Sequence, residues 1–231
     1  MTNLHDHRNR NQRISWSSLG LAQRLDLLAI DDVDHPITMR YSPEHKKETH
    51  ERIIRTASRH FRKRGEDGVA ISELMSKLDL THGGFYKHFA SKEQLLLEAL
   101  TRAFEEEENR FTEAVSKAKP GTELRTLIEN YLSLEHCANV ADGCPMAALA
   151  SEMARLPRTV RKEIDQALKR RVKSIAKFLP GTTERQRERN CMALLSGLIG
   201  TMSVARALAD PEARRVVLEA SRDFYFKSFC D

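Results

Sequence analysis

Thr81, His82, Tyr86, Lys87, His88 and Lys92, interleaved with Gly83 and Gly84, are the residues of this chain whose types and spacing could do chemistry. That chemistry is recognition, not bond-making. Hydroxyl, imidazole and ammonium groups carried off the core face of a short helix are the plan of a nucleic-acid reader. Each glycine costs about 1 kcal/mol against Ala in a helix. Two readings follow. Either the missing side chains let backbone approach base edges and phosphate, or they relieve packing against the preceding helix. Lys92 opens a long helix, where unpaired backbone N–H groups also favour anions. Catalysis finds no comparable support. There is no glycine-rich phosphate loop, no nucleophile elbow and no metal-binding His/Glu spacing. His136 and Cys137 are adjacent and so point in different directions on a helix. No enzymatic activity, no metal and no cofactor are expected. An enzyme of another class and a DNA-architectural protein are the rival readings, and sequence-specific protection of DNA by the purified chain separates both from a sequence reader.

The elements that must hold this set are written around it. Ile71, Leu74, Met75 and Leu78 recur at three- and four-residue spacing, as on a one-faced helix. Asp79-Leu80-Thr81 breaks that run: Asp tolerates a left-handed turn, and Thr81 is a good N-cap. A second helix of about eight residues follows, with Phe85 and Phe89 on one face and Tyr86, Lys87 and His88 elsewhere. Ser91, with Gln94 three residues on, forms a capping box that starts a third helix. Helix, tight turn, helix is the layout of a helix-turn-helix.

THGGFYKHFASKEQL, from Thr81 to Leu95, resembles the signature of the tetracycline-repressor (TetR) family of bacterial transcription regulators, and residues 43–95 fit its N-terminal domain. The resemblance implies an all-α homodimer with a three-helix domain for operator DNA and a larger helical domain for a ligand and for dimerisation. It implies domains at 39–91 and 92–231, a pseudo-palindromic double-stranded operator, and release by a small-molecule effector. Thr81, His82 and Lys87 then lie near base edges, with Gly83 and Gly84 allowing close approach. Tyr86, His88 and Lys92 contact phosphates, as the matching family positions do. Two positions depart from the pattern. Ala70 removes a possible phosphate contact, and Asp79 alters the turn where Gly is common.

The 231 residues are 40% apolar and 31% charged, with a net charge of +5. No run of 18 apolar residues exists, so no membrane span is expected. Four cysteines without paired spacing argue against a disulfide framework or zinc site, and the cytoplasm is the expected compartment. Between Arg40 and Gly65 nine Lys or Arg face three Glu, a basic excess that suits a phosphate-facing surface, although a charge run is more often a solvated helix face. Residues 1–38 are polar and without sustained periodicity. They read as an appendage, expected to be disordered; a DNA-contacting arm using Arg8, Arg10 and Arg13 is the other reading. Ser42-Pro43 then opens a helix expected to bury Ile53, Ile54, Ala57 and Phe61, to present Lys46, Lys47, Arg52, Arg55, Arg59 and Arg62 outward, and to stop at Gly65.

Further helices are expected from Lys92 to Ala118, with Glu105 to Glu108 as a solvated face, from Leu124 to about Val140, from Pro145 to Leu156, and over 158–178. The last two, from Cys191 and from Pro211, mix large and small apolar residues, and the resemblance makes them the dimer interface; a buried core pair is the other reading. The implied effector cavity is placed among the middle helices, with Phe104, Tyr131, Leu134, Cys144, Met146 and Met153 as lining candidates. Apolar walls with a few polar groups suit a small, largely apolar effector. Cys144, after the Asp142-Gly143 turn and at a helix start, is expected to have a lowered pKa. A thiolate there would sense electrophiles or oxidants, as some regulators of this family do; a small buried hydrophobe is the alternative.

Overall fold

The computed structural model describes residues 42–231, so the readings made for residues 1–38 and for Met39 to Tyr41 lie outside the described residues. Among these, ten α-helices and no strand are found: α1 Pro43–Arg64, α2 Ile71–Ser76, α3 His82–Phe85, α4 Lys92–Lys117, α5 Glu123–Tyr131, α6 Leu134–Ala138, α7 Pro145–Met153, α8 Arg158–Ile175, α9 Glu184–Ala207 and α10 Pro211–Phe229. The fold is all-α. No helix among the described residues is long and apolar enough to cross a membrane.

Local chemistry sets most boundaries. Thr81, Ser91, Ser133, Thr183 and Asp210 each accept a backbone N–H at a helix start, worth about 1 kcal/mol apiece. Gly65 ends α1 with a φ of 75°, a left-handed conformation that a Cβ disfavours. Asp79 turns the chain between α2 and α3 with a φ of 58°, as its short polar side chain permits. The Ser91 capping box is complete on one side only: Gln94 N–H donates to Ser91 Oγ, while Gln94 Oε1 accepts from Ala90 rather than from Ser91 itself.

Three expectations about elements fail. The helix expected from Cys191 already starts at Glu184, capped by Thr183. α3 is four residues long, not about eight, and continues to Phe89 as hydrogen-bonded turns. The helix expected to reach Val140 breaks at Leu132, and Ser133 caps a new helix α6. The break frees the Tyr131 carbonyl, which His136 Nδ1 then satisfies at 2.7 Å.

Residues 44–231 form one compact unit with two hydrophobic clusters. One joins Ile53, Ala57, Phe61, Leu74, Phe85 and Phe89 to the first half of α4, and is closed from the far side by Leu149 and Met153 of α7, Leu156 of the turn after it and Val160 of α8. The other gathers α5, α6, the end of α8, α9 and Leu218 of α10. α9 and α10 pack together, yet each leaves a four-residue-spaced stripe exposed: Met192, Ser196, Gly200 and Val204 on α9, and Val216, Ala220, Phe224 and Ser228 on α10. A Cβ on Gly200 would meet nothing within 4 Å.

Candidate nucleic-acid interface and effector cavity

The reader is built on two buried rings. Phe85 and Phe89 stack at 5.4 Å in the core beneath α3 and fix its rotation. Five of the eight predicted contact residues, Thr81, His82, Gly83, Tyr86 and Lys87, are thereby turned to the surface, Tyr86 with 61% of its area exposed. The glycines divide. A Cβ on Gly83 would meet nothing within 4 Å, so packing relief does not account for it; one on Gly84 would come 3.3 Å from Thr81 Oγ1, the cap of its own helix.

The other members of the set are less free. His88 is half-buried against Phe89, with Nδ1 enclosed and unpartnered. Burial, then the charges of His50, Lys46 and Lys87, hold its pKa below the ordinary 6.5. Lys92 Nζ donates to the Glu66 carbonyl at 2.7 Å and ties the start of α4 to the turn after α1. Glu66 N–H donates in turn to Glu152 of α7 at 2.6 Å.

Behind the reader, α1 presents Lys46, Lys47, Arg52, Arg55 and Arg59 outward as expected, but not Arg62. That side chain is 1% exposed. Its guanidinium donates to the Ser58 carbonyl, to the Gly143 carbonyl at 3.1 Å and to Glu106 at 3.3 Å. Burial lowers its pKa, against the pull of Glu106. Arg59 pairs with Asp142, the neighbour of Gly143. Periodicity could not find Arg62. Its position on α1 is polar by sequence, and what buries it comes from α4 and a loop eighty residues away.

The acidic block of α4 is a solvated face only at Glu105. Glu106 holds Arg62 and Arg102, while Glu107 and Glu108 both pair with Arg171 of α8.

Two cavities, of about 390 and 310 Å³, lie between α4, α5, α8 and α9 and share Glu107, Tyr131, Arg171 and Leu195 in their walls. Phe104, Tyr131, Cys144 and Met146 line the second. Leu134 and Met153 do not line either. Leu134 is 53% exposed at the start of α6, because the break at Leu132 rotates it outward, and Met153 is buried in the core beneath the reader. The first cavity is walled partly by groups that sequence reasoning missed, among them Arg110, His136, Asn139, Asp142 and Gly143.

Cys144 does not carry the expected thiolate. It is the N-cap of α7 without a side-chain cap bond, and it is buried. Burial, then the Glu107 carboxylate, push its pKa up to about 12, and the Tyr131 hydroxyl and the Ala147 amide recover little of that. Desolvation outweighs the helix terminus here, and the thiol is a small hydrophobe.

Residues 53–99 match the family profile "Bacterial regulatory proteins, tetR family", and residues 120–221 match "Tetracyclin repressor-like, C-terminal domain". The HTH-type transcriptional repressor NemR of Escherichia coli is 25% identical over 163 residues, 70% of this chain and 80% of that protein. Its crystal structure in the reduced form has a TM-score of 0.66 at 19% identity, covering 79% of this chain and 97% of that one. A TetR transcriptional regulator from Chloroflexus aurantiacus has a TM-score of 0.65 at 23% identity, covering 81% and 100%. AibR, solved in complex with isovaleryl coenzyme A and operator DNA, has a TM-score of 0.57 at 20% identity, covering 78% and 97%. The two family profiles together span more than half of the residues, on the fold those structures share, and the chain belongs to the TetR family of transcriptional regulators.

Proposed function

We propose that the chain is a ligand-responsive repressor that binds a pseudo-palindromic operator as a homodimer and leaves it when a small effector fills the cavity beside α4. Residues 39–91 act as the DNA-binding domain and 92–231 as the effector and dimerisation domain. Thr81, His82 and Lys87 face base edges, with Gly83 and Gly84 admitting the backbone. Tyr86, His88 and Lys92 serve phosphates, Lys92 and His88 after releasing their present contacts.

The observation that carries the effector response is the loop from Asn139 to Cys144. Asn139, Asp142 and Gly143 are wall of the first cavity, and Asp142 and Gly143 are also the partners of Arg59 and Arg62 on α1. An occupant that moves this loop moves the helix bracing the reader. Two of the structures cited, NemR by name a repressor and AibR with operator DNA and a ligand, support the reading by analogy. The exposed apolar stripes on α9 and α10 support the dimer.

Genomic fragments retained by the purified chain, once sequenced and footprinted, test this. The expected result is a two-fold symmetric protected site with half-sites about 34 Å apart or a multiple of that. Uniform binding without a protected site points to an architectural protein, and no DNA binding ends the reading.

A further inference from the structure

Glu107 is a carboxylate that the fold leaves short of partners. Its side chain is 17% exposed and stands in the wall shared by the two cavities. Its ion pair with Arg171 Nη2 spans 3.6 Å, beyond hydrogen-bond range. The Cys144 thiol, a weak donor, and Tyr131 are also near it. Arg171, by contrast, is committed: Nε lies 3.2 Å from Glu108, and the guanidinium sits over the Phe111 ring. Tyr131 Oη, also beside the Cys144 thiol, is buried without a hydrogen-bond partner in ordinary geometry. The wall of the second cavity carries Glu105, Glu107 and Glu108 against Arg170 and Arg171.

A half-buried carboxylate is strengthened by charge-assisted donors, and what Glu107 lacks is a close one. A neutral hydroxyl or amide supplies a donor but no charge to balance the carboxylate. An anion beside Glu107 must draw Arg171 away from two glutamates, since Arg110 and Arg170 of the cavity walls are exposed. An ammonium group supplies three donors and is attracted to the faces of neighbouring aromatic rings.

Building on the effector response proposed above, we propose that the ligand is a small amphipathic amine, protonated at neutral pH. Its ammonium group docks on Glu107 beside Tyr131, in the wall shared by the two cavities, and its apolar body lies in the first cavity against Phe111, Leu127, Ile175 and Leu198. This departs from the largely apolar effector that the sequence suggests.

Calorimetry on the purified full chain with phenylbutylamine, phenylbutanol and phenylbutyrate separates the classes, because the three share one apolar body and differ in charge. The amine is expected to bind at least about tenfold more tightly than the alcohol, with the carboxylate weakest. Glu107→Gln should erase the advantage of the amine and leave the alcohol unchanged. Should that variant fail to fold, Glu107→Asp, which draws the charge back by one methylene, must also cut the advantage. No amine binding, equal binding of amine and alcohol, tightest binding of the carboxylate, or an amine preference that survives substitution of Glu107 overturns the proposal. The titrations contain no DNA. A chain that takes the amine but no operator refutes the regulator reading alone; one that binds operator but not the amine refutes this inference alone.

Discussion

His136 makes two hydrogen bonds that only a neutral imidazole can make together. Nδ1 lies 2.7 Å from the Tyr131 carbonyl, which can only accept, and Nε2 lies 3.1 Å from the Cys144 amide, which can only donate. The proton is therefore on Nδ1. Burial, chiefly, and the charges of Arg206 and Arg110 hold the pKa down at about 4, although the Tyr131 carbonyl favours the cation. In the unfolded chain the ring returns to about 6.5. Between those values the unfolded state binds more protons, so stability rises with pH. The contribution is full above about 6.5 and is lost as pH falls towards about 4, in total on the order of 3 kcal/mol. Urea unfolding at a series of pH values should show a shallower dependence for His136→Gln than for the native chain; parallel curves would put the titration elsewhere. At the reader, Lys92→Ala should weaken specific and non-specific DNA binding alike and reduce the salt slope by about one unit. Tyr86→Phe should weaken binding by about 1 kcal/mol with no change of slope. Unchanged affinity and slope in both variants would remove these residues from the phosphate surface.

At the scale of elements, α1 and the loop before α7 are joined by a guanidinium that is almost wholly buried. Removing Arg62 leaves the Gly143 carbonyl unpaired, while Glu106 keeps Arg102 at 2.8 Å. The loss should therefore fall below that for an orphaned buried charge. Arg62→Met is expected to destabilise by about 2–3 kcal/mol, read as a lower urea midpoint at unchanged slope. A loss under about 0.5 kcal/mol would show that the contact has little energetic weight. Much of this scale was legible in the chain itself, because the signals are local: Thr81 and Ser91 cap what they precede, Asp79 takes the left-handed turn, and Phe85 with Phe89 sets the face of α3. What escaped depends on distant partners. Arg62 and the Glu106 to Glu108 run look solvated until α1, α4 and α8 are brought together. Cys144 looks like a thiolate at a helix start until burial is counted. Leu134 looks internal until Ser133 restarts the helix. Phe104, Tyr131 and Met146 lie in a cavity wall because apolar spacing marks an inward face, whereas the polar wall at His136 and Asp142 comes from a one-turn helix and the loop after it, too short for periodicity.

For the whole molecule, the consequential surface is the pair of stripes on α9 and α10. Four-residue spacing of Met192, Ser196, Gly200 and Val204 makes a ridge with a low centre, and Val216, Ala220, Phe224 and Ser228 make a second. Ridges of this spacing pack against copies of themselves at steep crossing angles, and small central residues permit close approach. Phe224, 63% exposed, is the largest apolar side chain left uncovered among the described residues, and burying such a ring stabilises by about 1.5–3 kcal/mol per copy. Phe224→Glu places a charge there that a two-fold interface would bring near its own copy, while an exposed position alters the isolated fold by only about 0.5 kcal/mol. The variant should keep its helical circular-dichroism spectrum yet run as a monomer by light scattering. With one reader per molecule instead of two, operator affinity should fall by at least about 100-fold. The salt slope should drop to roughly half, since half the phosphate contacts are gone. A variant that remains dimeric and binds operator with native affinity would place the interface on another face of the chain.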